Sequence, residues 1–374
     1  MSILKKLFGN GISESLQEAI TNTITNLTID PFEVGALSAK NIEAADLKKG
    51  HLTLTLSLPF PAKSMWPAFE QALQDALLKL DDIETVSINF MTQIQAHAVQ
   101  GNTTPLKGVK NIIAVASGKG GVGKSTTSVN LALALQQEGA QVGVLDADIY
   151  GPSIPTMLGV HNKPETKDGK SMEPIFAYGL QLMSIGFLIK PDDPMIWRGP
   201  IVTSTLTQLL NETNWQDLDY LIIDLPPGTG DVQLTLSQQI PVTGSIIVTT
   251  PQEVALIDAR KGLRMFEKVN IPVLGVVENM STHICSQCGH EEAIFGEHGG
   301  KRLAEEHQVT FLGALPLNSK IRQQADEGKP TVVAEPAGDI ALKYRHIAYS
   351  VTSQIALKRR NFSSAFPNIV VENS

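Results

Sequence analysis

Two different rhythms of apolar residues divide this chain. Between about residues 12 and 92 the apolar positions alternate or recur at helical spacing. His51-Leu52-Thr53-Leu54-Thr55-Leu56-Ser57-Leu58 alternates strictly, which predicts a strand in a sheet with one wet face. An amphipathic helix through Leu16 and Ile20 precedes it, and a second through Trp66, Phe69, Leu73, Leu77 and Leu80 follows. Val86-Ser87-Ile88-Asn89-Phe90 then closes a small α+β unit as another strand. From Asn111 onward the rhythm changes to short continuous apolar runs at 112–116, 142–145, 220–223, 245–249, 273–277 and 311–315, separated by helical stretches. Strands of that kind are buried on both faces, so they predict a parallel, doubly wound α/β domain whose ligands bind at the carboxyl ends of the strands. Gly101-Asn102-Thr103-Thr104-Pro105 supplies turn chemistry between the two rhythms. The expected organisation is an N-terminal domain over 1–100, a linker over 101–108, the α/β domain over 109–350 and a tail over 351–374.

Composition narrows the function classes. Of the 374 residues, 42% are hydrophobic and 18% charged, an ordinary globular balance. No apolar run approaches the roughly 20 residues of a spanning helix, and Gly9, Asn10 and Gly11 break the stretch after Lys5-Lys6 before it becomes a secretory signal core. A cytoplasmic protein is therefore expected, without a membrane partner. The formal net charge of −8 disfavours a nucleic-acid partner, because no basic patch offsets it; Lys358-Arg359-Arg360, the densest basic spot, reads as a solvated helix end.

Candidate chemistry sits at the predicted strand ends. Gly118-Lys119-Gly120-Gly121-Val122-Gly123-Lys124-Ser125 fits G-x-x-x-x-G-K-[ST] between a strand and a helix through Val129, Leu131 and Leu135. Glycines in such a loop let backbone N–H groups turn toward an anion, and the helix N-terminus adds partial positive charge. Lys124 neutralises phosphate and Ser125 can ligate magnesium. ATP and Mg²⁺ are the expected ligands, with Thr126 completing the binding segment. Asp224, after Tyr220-Leu221-Ile222-Ile223, is the expected Walker-B carboxylate on magnesium, and the Gly228-Thr229-Gly230 turn is expected to swing with the γ-phosphate. Asp148, in Asp146-Ala147-Asp148, reads either as a helix cap or as the group orienting the attacking water.

The extra lysine, Lys119, makes the loop a deviant Walker A of the form KGGVGKS, which resembles the MinD/ParA-like ATPases. Together with Asp146-Ala147-Asp148-Ile149-Tyr150-Gly151-Pro152-Ser153, Trp197-Arg198-Gly199-Pro200, the segment from Asp224 to Asp231, and Asn279-Met280-Ser281 before a cysteine pair, it resembles the Mrp/ApbC iron–sulfur carrier ATPases over about residues 108–345. The resemblance implies a nucleotide-dependent homodimer in which Lys119 reaches the partner's phosphates. It also implies that Asn279, with the loop after Pro316, meets the adenine base. The N-terminal unit is similar to a small domain that precedes many such ATPases, but its loop Leu58-Pro59-Phe60-Pro61-Ala62-Lys63-Ser64-Met65 lacks the cysteine often found there. A docking or regulatory module is expected instead.

Cys285 and Cys288 are the only cysteines. Two thiolates on one turn do not close a four-iron cluster, so one cluster bridging two subunits is expected, a [4Fe–4S] group destined for apoproteins. Two rivals use the same pair: structural zinc with His283 and His290, and a redox disulfide. At the level of the whole chain, the rivals are a positioning ATPase of the ParA/MinD kind and a reductase in the manner of the nitrogenase iron protein.

Overall fold

The computed structural model describes all residues except 1–6, 10, 11, 33, 34, 98, 100–102, 190–198, 286 and 359–374. Part of the expected linker (Gly101, Asn102), the pair Trp197-Arg198 and most of the expected tail, with Arg359 and Arg360, lie outside the described residues.

The N-terminal unit is a three-stranded sheet, β1 (Ile42–Lys48), β2 (His51–Leu58) and β3 (Thr85–Thr92), with β1–β2 antiparallel and β2–β3 parallel. The crossover between β2 and β3 carries helix α2 (Trp66–Leu77), which packs with α1 (Glu14–Thr25) on the apolar face. The alternation in β2 does what its period requires, since Leu52, Leu54, Leu56 and Leu58 are all fully buried.

The second unit is an eight-stranded sheet in the order β13-β10-β9-β4-β8-β5-β7-β6. Its strands are β4 (Val109–Ala116), β5 (Val142–Asp146), β6 (Ile175–Ala177), β7 (Leu180–Ser184), β8 (Leu218–Asp224), β9 (Gly244–Thr249), β10 (Val273–Glu278) and β13 (Phe311–Ala314). All neighbours are parallel except β6–β7. One apolar core lies on the face covered by α3 (Lys124–Gln137) and α11 (Asp339–Ala356), the other on the face covered by α5 (Gly199–Glu212) and α7 (Glu253–Lys268). Helix α3 is buried continuously from Thr127 to Leu135, which is why its sequence is apolar or small on every side. The remaining helices are α4 (Ile154–Met157), α6 (Asp231–Gln239), α8 (Gly299–Glu306), α9 (Ser319–Asp326) and α10 (Thr331–Ala334), and β11 (His283–Ile284) pairs with β12 (Glu291–Glu292) in a short hairpin.

Helix α11 crosses the expected boundary at 350 and continues to Ala356, with Val351 and Ile355 fully buried, so the ordered unit extends further than the sequence pattern suggested. The same helix holds the N-terminal unit: Tyr349 packs on Phe32 with ring centroids 5.4 Å apart, and its hydroxyl lies 2.7 Å from Ser64 Oγ. The loop before α2 is also tied to the last turn of α3, where Ser64 N–H donates to the buried Glu138 carboxylate (2.8 Å) and Lys63 N–H to its carbonyl (3.3 Å).

Candidate nucleotide site and cysteine hairpin

The strand order explains how distant carboxylates meet. Strand β8 is inserted between β4 and β5, and the register pairs Val115 with Asp224 and Asp146 with Asp224. The end of β4 runs into the glycine loop, so the loop, Asp224 and Asp146 occupy three adjacent strand ends at the point where the sheet order reverses. Gly121 and Gly123 take φ of +81° and +82°, the left-handed conformation for which glycine is suited. A Cβ on Gly123 would also fall 2.0 Å from Asn279 Nδ2.

Lys124 is 5% exposed, and its ammonium lies 2.8 Å from Asp224 Oδ2, 3.8 Å from Asp148 Oδ2 and 3.2 Å from Ser125 Oγ. Ser125 Oγ donates to Asp224 Oδ2 at 2.5 Å, so a hydroxyl and a carboxylate converge as oxygen donors suited to a hard divalent cation. The residues present thus fit magnesium. Lys119 makes no ion pair among the described residues, and its carbonyl accepts from Ser117 Oγ (2.9 Å). Asn279, Pro316, Gly123 and Thr126 line one cavity of about 480 Å³ beside the loop. Asn279 Nδ2 donates to the Val122 carbonyl at 2.8 Å and braces the loop. A larger groove of about 910 Å³ lies between α5 and α6 and includes none of these residues.

Three participants escape a motif-based reading. Ser128, one turn into α3, donates to Asp224 Oδ1 at 2.7 Å. Gln233 is buried and ties the 226–230 turn together: it accepts from Gly230 N–H (2.9 Å) and donates to the Pro226 carbonyl. That turn is further fixed to the loop by Gly228 N–H donating to Ser117 O (3.0 Å). Asp146 is fully buried and gathers the segment after β5, accepting from the backbone N–H groups of Asp148 (3.2 Å), Ser153 (3.1 Å) and Ile154 (3.2 Å) and from Ser184 Oγ (3.1 Å). The motif Asp146-Ala147-Asp148 was visible in the sequence, but only topology shows that its first carboxylate organises the backbone carrying the second.

Burial, reinforced by Asp224, pushes Asp146 up to about 7 against the opposing Ile154 N–H and Lys124. Asp148 is raised as well, chiefly by burial, with Lys124 opposing and Asp224 adding to it. The folded chain holds the Asp146 proton where an unfolded aspartate, near 3.8, has released it, so stability falls as pH rises through that window. The melting temperature without nucleotide is expected to drop between about pH 4 and about pH 7, and Asp146→Asn to flatten the drop. An unaltered slope in the variant contradicts the assignment.

The cysteines sit on the β11–β12 hairpin, in which His283 pairs with Glu292 and Ile284 with Glu291. The turn is closed by Cys285 N–H donating to His290 O and Gly289 N–H to Cys285 O, both 2.9 Å, with Gly289 at φ +72°. Cys285 is held below the ordinary thiol range, first by the Cys288 N–H and then by that of Gln287, so the backbone favours a thiolate there. Cys288 is exposed. His283 turns toward the Leu317 carbonyl, 3.1 Å from its Nδ1. Among the described residues no three His, Cys, Asp or Glu side chains gather closely enough to hold a metal ion, so the Cys₂His₂ set weighed for zinc is not assembled. No helix among them is long and apolar enough to cross a membrane.

Fold and loop together define a P-loop NTPase of α/β class with a deviant Walker A lysine. The chain belongs to the ParA family described as NUBPL iron-transfer P-loop NTPases, which it matches over residues 108–352. It is 49% identical over 349 residues to an iron-sulfur cluster carrier protein of Haemophilus influenzae, covering 93% of this chain and 94% of that one. A Pseudomonas fragi protein of the same description is 57% identical over 278 residues, covering 74% of this chain and 97% of its own length. The Mus musculus iron-sulfur cluster transfer protein NUBPL is 48% identical over 266 residues, covering 71% of this chain and 83% of its own. Among solved structures, a nucleotide-binding protein from Archaeoglobus fulgidus in complex with ADP superposes with a TM-score of 0.54 at 37% identity, covering 62% of this chain and 90% of that one. The cell division ATPase MinD of Pyrococcus furiosus, at 22% identity and a TM-score of 0.50, covers 65% of this chain and 99% of its own and shares the fold.

Proposed function

We propose that this chain is an ATP-hydrolysing iron–sulfur cluster carrier that holds its cargo between two copies of itself and passes it to apoproteins in the cytoplasm. The observation that carries the reading is the hairpin turn, which presents Cys285 and Cys288 together, one of them favoured as a thiolate by backbone N–H groups. Two donors per chain leave a four-thiolate cluster half ligated, and a symmetric second copy supplies the other half. The names of the relatives in Haemophilus influenzae and Mus musculus support the same cargo.

At the other end of the reaction, the loop amides and Lys124 hold the phosphates, and Asp148 orients the water that attacks the γ-phosphorus. Ser125 and Asp224 would hold magnesium, which would supply charge neutralisation at the phosphates. Lys119, unpaired within its own chain among the described residues, serves the nucleotide of the partner copy, and Asn279 and Pro316 flank the base. The N-terminal unit, seated on the far end of α3, acts as a docking or regulatory module for the same helix that starts at Lys124.

The test is transfer. After anaerobic reconstitution with ferrous iron and sulfide, the loaded chain is mixed with a purified four-iron apoprotein, and acceptor activity is followed with and without ATP. Activation faster than by free iron and sulfide is the expected outcome. Activation no faster than that control contradicts the carrier reading.

A further inference from the structure

Beside the cysteine hairpin lies a cleft of about 830 Å³ that shares only Pro316 and Asn318 with the cavity beside the glycine loop. One wall is the hairpin, through Ile284 and Glu291; the other is the turn from α10 into α11, through Thr331 and Asp339; Glu278, the last residue of β10, lies at its floor. Five carboxylates line it against two lysines and one histidine, and one of those lysines, Lys320, is already paired with Glu335 at 3.3 Å.

One buried hydroxyl in this lining has no partner among the described residues, and one buried carboxylate is held by a single contact. Glu278 is 2% exposed, and the one hydrogen bond to its carboxylate among the described residues comes from Gly300 N–H at 2.6 Å. Thr331 is 3% exposed and its hydroxyl has no partner among them. A buried hydroxyl left unpaired costs stability unless a ligand completes it, and a carboxylate with one partner can accept further donors. The carboxylates do not converge in threes as a metal site requires, so the ligand they suit is extended and carries spaced positive charges. A second copy of this chain is a poor candidate, since its formal net charge is −8.

We propose that this cleft docks a lysine- and arginine-bearing segment of the acceptor protein, placing the acceptor directly against the hairpin that carries Cys285 and Cys288. The inference rests on the carrier reading, and it adds where and by what chemistry an acceptor is recognised. Half-exposed Ile284 at the rim offers an apolar contact beside the charges.

The probe is a fluorescein-labelled peptide of Lys-Ala-Arg-Leu repeats, titrated by anisotropy against the full-length, cluster-free chain at physiological salt. Saturable binding is expected, weakened about tenfold or more in a combined Glu291→Gln, Glu297→Gln, Asp339→Asn variant. A control carrying Glu18→Gln, Glu43→Gln and Asp81→Asn, with the same charge change on the N-terminal unit, is expected to bind like the parent. Thr331→Val provides a second arm, because deleting an unpartnered hydroxyl leaves the fold intact while weakening the peptide. Absence of binding by the parent chain, undiminished binding in both cleft variants, or equal loss in the control overturns the proposal. Cluster loading of the combined cleft variant is measured in parallel. Full loading with unchanged peptide affinity removes the docking site and leaves the carrier reading standing, whereas a parent chain that loads no cluster removes the carrier reading itself.

Discussion

Lys124→Ala is expected to lower ATP turnover by about 10²–10³-fold, the loss typical of removing one preorganised charge stabiliser from a water-poor site. The buried ammonium sits within 4 Å of both Asp224 and Asp148, and its charge opposes the upward shift of both Asp146 and Asp148. Its removal therefore does two things: phosphate loses its cation, and Asp146 and Asp148 lose the charge that opposes their upward shift. Phosphate release under saturating ATP is the measurement, with circular dichroism showing that the variant is folded. A turnover within about threefold of the parent, below the effect of losing any single charge-stabilising contact, contradicts the role given to Lys124.

The second large effect is on cargo. Cys285→Ala and Cys288→Ala are each expected to abolish the brown absorbance of the reconstituted protein while ATP affinity stays within about twofold, a difference of only a few tenths of a kcal/mol. The separation follows from the structure: the hairpin is paired through its own backbone, His283 with Glu292 and Ile284 with Glu291, so losing a thiol leaves its strands in register. The loop proposed to hold phosphate is braced elsewhere, by Asn279 on Val122 and by Gly228 on Ser117. Retention of a full cluster by both variants contradicts the assignment of the ligands.

What the sequence shows of this fold depends on how local the determining interaction is. Each of the six strands expected in the large sheet lies within a residue or a few of its observed limits, because a strand buried on both faces must be apolar throughout. Strand β7 is buried too, yet Gln181 interrupts its apolar run. The structure shows why that is tolerated: Gln181 exchanges two 2.8 Å hydrogen bonds with the backbone of Gln216, which satisfies its amide in the interior. Strand β1, Ile-Glu-Ala-Ala-Asp-Leu-Lys, forms an edge of the small sheet and carries too few apolar residues to announce itself.

The candidate site divides along the same line. Glycines, lysine and serine of the phosphate loop are contiguous, so their spacing alone made them visible. Ser128 and Gln233 stand outside the quoted motifs, and Asp146, though inside one, acts through partners that only the strand order and the helix start bring near. The acidic cleft was illegible for a similar reason, since its walls come from residues about 50 positions apart in the chain and its floor from the end of a different strand.

The central claim is that two copies of the chain hold one cluster through their cysteine hairpins. Native mass, iron and acid-labile sulfide measured together on anaerobically purified protein test it most directly. A complex of two chains with about four iron and about four sulfide is the expected result. A full complement of iron and sulfide on single chains, or one zinc per chain with no sulfide, would contradict it.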